Sequence, residues 1–134
     1  MTKLRIYLAG PLSGWREKAT KSLDDAFDVY DPVKKSRQRC QAEYAPDDLE
    51  ATKNCQVILA YQPKNKDPCL ALAIEATFGF CNGAIVVYVD ERGAPDPIFI
   101  GISKRFFSNL DNALSFLNKF AENPEAQGIE KKVR

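Results

Sequence analysis

The stretch 57–89 leaves this chain the fewest choices. Val57-Ile-Leu-Ala-Tyr and Ala84-Ile-Val-Val-Tyr-Val are apolar runs of strand length. Between them stand a polar break at 62–68, bounded by Pro63 and Pro68, and a proline-free helical run over 69–81. A strand, a crossover helix and a second strand pair in parallel through a right-handed connection. The helix is expected to lay Leu70, Ala71, Ile74, Phe78 and Cys81 on the sheet. Glu75 is the sole charged residue from 69 to 89 and sits beside Ile74 on that wheel. It reads either as a glutamate at the solvent edge of the helix or as a buried carboxylate belonging to a site.

The chain before this unit repeats the strand-to-helix pattern. Leu4-Arg-Ile-Tyr-Leu-Ala runs into Gly10-Pro-Leu-Ser-Gly, which places a turn at the carboxyl end of a first strand, where open α/β sheets bind ligands. A helix is expected over 16–27, with Ala19, Leu23, Ala26 and Phe27 on one face, and a brief strand over 28–32. The segment 33–45 carries Lys34, Lys35, Arg37 and Arg39. It reads as a solvated loop, or as a flap over an anionic substrate. Pro46-Asp47-Asp48 is expected to open a short helix, its carboxylates favoured by the helix dipole.

Beyond 89 the pattern predicts a loop over 90–97 and a last strand at 98–102 or 105–107. A last helix at 110–120 has a stripe of Leu110, Ala113, Leu114, Leu117 and Phe120. The expected architecture is α/β, a single doubly wound (flavodoxin-like or Rossmann-like) parallel sheet of about five strands flanked by helices. One domain is expected over 1–120, followed by a charged, frayed tail over 121–134.

Composition narrows the chemistry. The chain has 134 residues, is 45% hydrophobic and has a net charge of +1, so one core is affordable and no electrostatic case for nucleic acid or membrane exists. With no signal-peptide pattern and no long apolar run, a cytoplasmic location is expected. The four cysteines, Cys40, Cys55, Cys69 and Cys81, are unevenly spaced and read as reduced thiols. Histidine is absent, which removes histidine triads and most zinc sites and leaves acid–base work to carboxylates, tyrosine, lysine or cysteine. No cofactor is called for, since neither GxGxxG nor a Walker lysine motif occurs.

Three motifs in order carry a resemblance. They are Ile-Tyr-Leu-Ala-Gly-Pro-Leu-Ser-Gly with Tyr7, Asp-Asp-Leu-Glu-Ala-Thr-Lys-Asn-Cys with Asp48, and Ala-Ile-Glu-Ala-Thr-Phe-Gly-Phe-Cys-Asn-Gly with Glu75. In this order and spacing the chain resembles the nucleoside 2-deoxyribosyltransferase family, whose relatives include hydrolases of nucleoside 5'-monophosphates. The resemblance implies that Glu75 is a nucleophile forming a covalent glycosyl ester, that Tyr7 positions or tunes it, and that Asp48 binds sugar hydroxyls. It also implies that Gly10, Ser13, Gly14 and Arg16 form the loop that cradles a 5'-phosphate in the hydrolase branch.

The chain departs from the family pattern at Ala71 and Thr77, where glycines are usual, and at Cys69, where aspartate or serine is usual. Asp67 is the remaining candidate for contacting the base. The implied partners are a small nucleoside or nucleotide and further copies of the chain, as a homodimer or higher homo-oligomer; Phe99, Phe106 and Phe107 read equally as contacts for such copies or as core strand residues. The alternatives are a monophosphate hydrolase, a non-catalytic nucleotide-binding protein of the same fold, and an unrelated flavodoxin-like domain in which Glu75 is structural.

Overall fold

The computed structural model describes residues 3–124. The elements are β1 (Leu4–Ala9), α1 (Trp15–Leu23), β2 (Phe27–Tyr30), α2 (Pro32–Lys35) and α3 (Gln41–Asn54). They continue with β3 (Val57–Gln62), α4 (Leu70–Cys81), β4 (Ile85–Asp90), α5 (Pro97–Ile102), β5 (Ser103–Phe107) and α6 (Leu110–Glu122). The strands form one sheet in the order β2-β1-β3-β4-β5, and every pairing is parallel. The chain steps outward from β1 to β2, then crosses back to place β3 on the other side of β1. That reversal opens a crevice at the carboxyl ends of β1 and β3.

Alternation along the strands builds two cores. Ile6, Leu8, Val57 and Leu59 pack with residues of α1 and α6 on one side. Tyr7, Ala9, Ile58, Ala60 and Tyr88 pack with residues of α3 and α4 on the other. On the second side Ala9 and Ala60 alternate with the bulkier Tyr7, Ile58 and Tyr88.

Three expectations are corrected. The first helix stops at Leu23, and Phe27, fully buried, begins β2 opposite Leu4; Ala26 lies in the turn between them. The segment 98–102 lies in a helix because Asp96 accepts from the Ile98 and Phe99 amides and Pro97 occupies the first helical turn. Asp31 and Pro32 open α2 in the same way. The last strand is β5.

The third correction concerns 33–45, much of which is helical, with α3 beginning at Gln41 and taking Pro46 into its interior. Asp47 is therefore not a capping residue. It receives the Arg37 guanidinium through Nε and Nη2, both at 2.9 Å, and the Arg37 amide at 2.9 Å. Arg39 forks onto Glu43 at 3.0 and 2.7 Å. Lys35 donates to the Val29 carbonyl at 2.7 Å. These cations are spent on the protein, so the segment is not a basic flap.

Of the two readings of Phe99, Phe106 and Phe107, the structure favours the core one, since all three pack inward. Phe99 stacks on Tyr88 with ring centroids 4.0 Å apart, Phe106 tilts against Tyr88, and Phe107 meets Phe116. At the carboxyl end α6 runs to Glu122, into the expected tail; positions 125–134 of that tail lie outside the described residues. Among the described residues, no helix is long and apolar enough to cross a membrane.

Candidate active site

The site is set by how α4 meets the sheet. The face turned inward is Leu72, Glu75, Ala76 and Gly79, while Leu70, Ile74 and Phe78 are 78%, 59% and 38% exposed. The apolar stripe expected to pack on the sheet thus faces outward, together with Ala71 and Cys81. Size decides this, not hydropathy. A Cβ on Gly79 would lie 2.7 Å from Cδ1 of the fully buried Ile58, so the helix rests against the strand at its smallest residue. One turn earlier, that close approach carries Glu75 into the interior.

Tyr7 of β1 points to the same side, and its hydroxyl donates to Glu75 Oε2. Both groups are buried, Tyr7 completely. Burial pushes the Glu75 carboxyl up to about 7. The Tyr7 hydrogen bond opposes that shift by favouring the anion, the Asp48 charge adds to it, and the Arg16 charge opposes it. The Tyr7 phenol is driven far above its ordinary range, by burial first and by Glu75 next. It therefore stays protonated and serves only as a donor.

Asp48 stands on α3 near this pair and is half-buried. Desolvation raises its pKa, while the Ser36 hydroxyl and the Arg16 charge favour its ionised form. Its Oδ1 is buried and has no hydrogen-bond partner among the described residues. Tyr7, Asp48 and Glu75, drawn from β1, α3 and α4, are therefore brought together on the α3–α4 side of the sheet.

The loop after β1 does something other than expected. Arg16 is buried, and its guanidinium donates to the carbonyls of Leu8 (3.4 Å), Pro11 (2.9 Å) and Gly10 (2.6 Å). It also faces Asp31 at 3.7 Å. Trp15 Nε1 donates to the Pro11 carbonyl as well, at 3.0 Å. Arg16 thus clamps the loop and lends a positive charge to the site, and is not presented as a phosphate ligand.

Gly10 is where the loop passes closest. A Cβ there would sit 2.7 Å from the Tyr61 carbonyl oxygen and 2.8 Å from the Trp15 ring. Leu12, Ser13, Gly14, Arg16, Glu17, Asp31, Val33 and Lys34 surround a cavity of about 220 Å³. Ser13, Gly14 and Lys34 are therefore at hand, with no side chain capping α1.

Asp67 stays apart. It is exposed, and its carbonyl is held by Gln62 Nε2 at 3.2 Å. Gln62, which the sequence did not single out, organises this loop. Its Nε2 also donates to the carbonyls of Pro63 and Lys66, and its Oε1 accepts from the Cys69 amide at the start of α4. The available signal was a lone amide at the end of an apolar strand, where a buried polar group must find partners. Among the described residues, no cluster of potential ligands could hold a metal ion.

Comparison with known proteins adds to this geometry. No family model matches the chain, and no curated protein matches it in sequence. Among solved structures it is similar to the 2-deoxyribosyltransferase of the psychrotolerant bacterium Bacillus psychrosaccharolyticus, at 16% identity and a TM-score of 0.72. That match covers 96% of this chain and 99% of the other. A second similar structure is the CMP N-glycosidase BcmB of Clostridium botulinum, at 18% identity and a TM-score of 0.60, covering 85% of this chain and 98% of the other. The chain has the fold of these two enzymes. The α/β sheet expected from sequence, and the likeness that accompanied it, meet at the level of the fold.

Proposed function

We propose that the chain cleaves or transfers the N-glycosidic bond of a nucleoside or nucleoside monophosphate, with Glu75 as the nucleophile. The observation that carries this reading is the buried Glu75 carboxylate on the Tyr7 hydroxyl, beside the unpartnered Asp48 oxygen. The fold shared with two proteins described as a 2-deoxyribosyltransferase and a CMP N-glycosidase supports it.

In this reading a Glu75 oxygen attacks the anomeric carbon as the C–N bond breaks, and the bonding electron pair leaves with the base. The carboxylate first offsets the oxocarbenium-like charge and then captures it as an ester. Attack on the ester by a second base or by water returns the carboxylate. Tyr7 holds the attacking group in place, and Asp48 receives the sugar. A pKa of about 7 leaves a substantial anionic fraction at neutral pH.

Hydrolysis of a 5'-monophosphate is the second reading. The cavity lined by Ser13, Gly14 and Lys34 at the start of α1 favours it, since uncapped amides and a lysine suit a phosphate. Gly10 and Arg16 shape that loop from behind. We further propose that copies of the chain associate through the outward apolar face of α4, around Leu70, Ile74 and Phe78. Light scattering of the purified protein tests this, and a strict monomer would remove it.

The decisive experiment incubates the protein with 2-fluoro-2-deoxy nucleosides and monophosphates and maps adducts by denaturing mass spectrometry. The sugar is expected on the peptide containing Glu75. Release of free base, with and without an acceptor base, separates transfer from hydrolysis. Labelling elsewhere, or base release undiminished in Glu75→Ala, would end this mechanism.

A further inference from the structure

Gln62 is the last residue of β3 and is 2% exposed. An apolar strand has no need of an amide, and burying one costs free energy unless its polar atoms are answered. Here each is. Nε2 donates to the carbonyls of Pro63, Lys66 and Asp67 at 3.3, 3.2 and 3.2 Å, and Oε1 accepts from the Cys69 amide at 3.1 Å. Every partner lies within 63–69, so the side chain is devoted to its own loop and to the residue that opens α4.

Packing does not hold this segment. Residues 64–68 and Leu70 are exposed, and the first residue of α4 to turn inward is Leu72. Cys69, at the N-cap, supplies no side-chain cap. The Gln62 oxygen instead takes the N-cap amide, which a glutamate or glutamine of the first turn satisfies in a capping box. The backbone of Gln62 is fixed separately, opposite Asp90 in the sheet and with its carbonyl accepting from the Glu91 amide at 3.0 Å. Toward its other end α4 is seated by Gly79 against Ile58. Glu75 lies between these two holds, about 9 Å along the helix axis from Cys69.

We infer that Gln62 is a positioning residue, whose side-chain amide ties the 63–69 loop and the first turn of α4 to the sheet and so fixes the place from which the Glu75 carboxylate attacks. This rests on the glycosidic reading of the site. Tyr7 holds that carboxylate directly, whereas Gln62 acts on it only through the helix. A helix start released from the sheet lets Glu75 shift and lets water reach it. Displacing an attacking group by about 1 Å costs about a hundredfold in rate.

Gln62→Met tests this on the full chain, since it keeps the shape of the side chain and removes all four hydrogen bonds. Amide exchange followed by mass spectrometry should quicken about tenfold at the start of α4 and stay unchanged in α6. Base release should fall about tenfold or more in kcat while KM stays within about threefold. The Glu75 carboxyl, followed by carbon NMR of labelled glutamate and assigned with Glu75→Gln, should titrate lower than in the wild type. Burial is the first cause of its height of about 7, and Tyr7, Asp48 and Arg16, which also act on it, are left in place.

A merely structural glutamine would lower the melting temperature and leave both kcat per folded molecule and the Glu75 titration where they were. That result would overturn the inference, while base release by the wild type would still support the glycosidic reading. A lowered Glu75 titration in a protein whose wild type releases no base would support the hold of Gln62 on Glu75 and sink the glycosidic reading. If Gln62→Met fails to fold, Gln62→Asn, which keeps the amide and loses its reach, decides by the same readings.

Discussion

Glu75 on α4 and Asp90 at the end of β4 are both buried carboxylates, each with a tyrosine hydroxyl bonded to it, and they are in opposite condition. Asp90 accepts from Tyr88 at 2.7 Å, from the Arg92 amide at 2.9 Å, and from the Arg92 guanidinium at 3.2 and 2.8 Å. Although burial works against its charge, the Arg92 and Tyr88 hydrogen bonds together hold its pKa below the ordinary value. Glu75 accepts from Tyr7 and feels Arg16 only through space, and its pKa is pushed up to about 7. Burial by itself does not make a carboxylate reactive. A buried carboxylate whose oxygens are all answered is a strut, whereas one held by a single donor keeps an electron pair to spend.

The sharpest way to break this contrast is to remove each charge in turn. Glu75→Gln should lower turnover by about a thousandfold or more, because the amide keeps the shape and loses the nucleophilic oxygen. Asp90→Asn should instead cost about 3 kcal/mol of stability, measured by urea unfolding, since Arg92 loses its buried partner. Its folded fraction should remain active. Equal activity losses in both variants would mean that the two carboxylates do not differ in kind.

The two sites should also part on pH. The folded pKa of Glu75 lies above its ordinary 4.5, so its stabilising contribution is complete below about 4.5 and is lost as pH rises through about 7. Glu75→Gln should therefore be the more stable protein in alkali, by about 3 kcal/mol from a shift of this size. Asp90 runs the other way. Its folded pKa is depressed, so its contribution is present above the ordinary 3.8 and fades as pH falls through the lower folded value. Turnover, which needs the Glu75 anion, should rise with pH to a half-point near 7. A rate profile flat from pH 5 to pH 9 would count against Glu75 as the nucleophile.

The smallest expected effects come from the tyrosines. Tyr7→Phe should lower turnover about tenfold with little change in affinity, and should move the half-point of the rate profile upward, because the lost hydrogen bond had favoured the anion. Tyr88→Phe should cost about 1 kcal/mol of stability and leave the rate alone, since Arg92 still answers Asp90. A half-point that moves down in Tyr7→Phe would reverse the role given to that hydroxyl.

What was legible in the chain followed how locally each signal was written. The strands β1, β3 and β4 and the stripe of α6 are dense apolar patterns that need no partner to be recognised. The Asp-Pro pairs at 31–32 and 96–97 were equally local, and they marked helix starts that hydrophobic pattern alone read past. The basic residues of 33–45 could not be placed by composition, because their carboxylate partners on α3 come into range only once that helix forms. Gln62 carries no motif. Its role exists only through the loop before α4.

By itself the sequence determined a parallel strand–helix–strand unit with one carboxylate on its crossover helix, because apolar period and turn chemistry are properties of neighbours along the chain. It also placed Tyr7 at the right end of the first strand. Only the tertiary structure decided which face of α4 turns inward. The bulky stripe Leu70, Ile74 and Phe78 has the greater hydropathy, but Ile58 of the sheet leaves no room for a side chain at the point of closest approach, so Gly79 goes in there and turns Leu72, Ala76 and Glu75 inward with it. Hydropathy scores what a residue gains by leaving water, whereas depth of approach depends on the volume already present on the opposite surface, and that surface comes from residues distant in sequence.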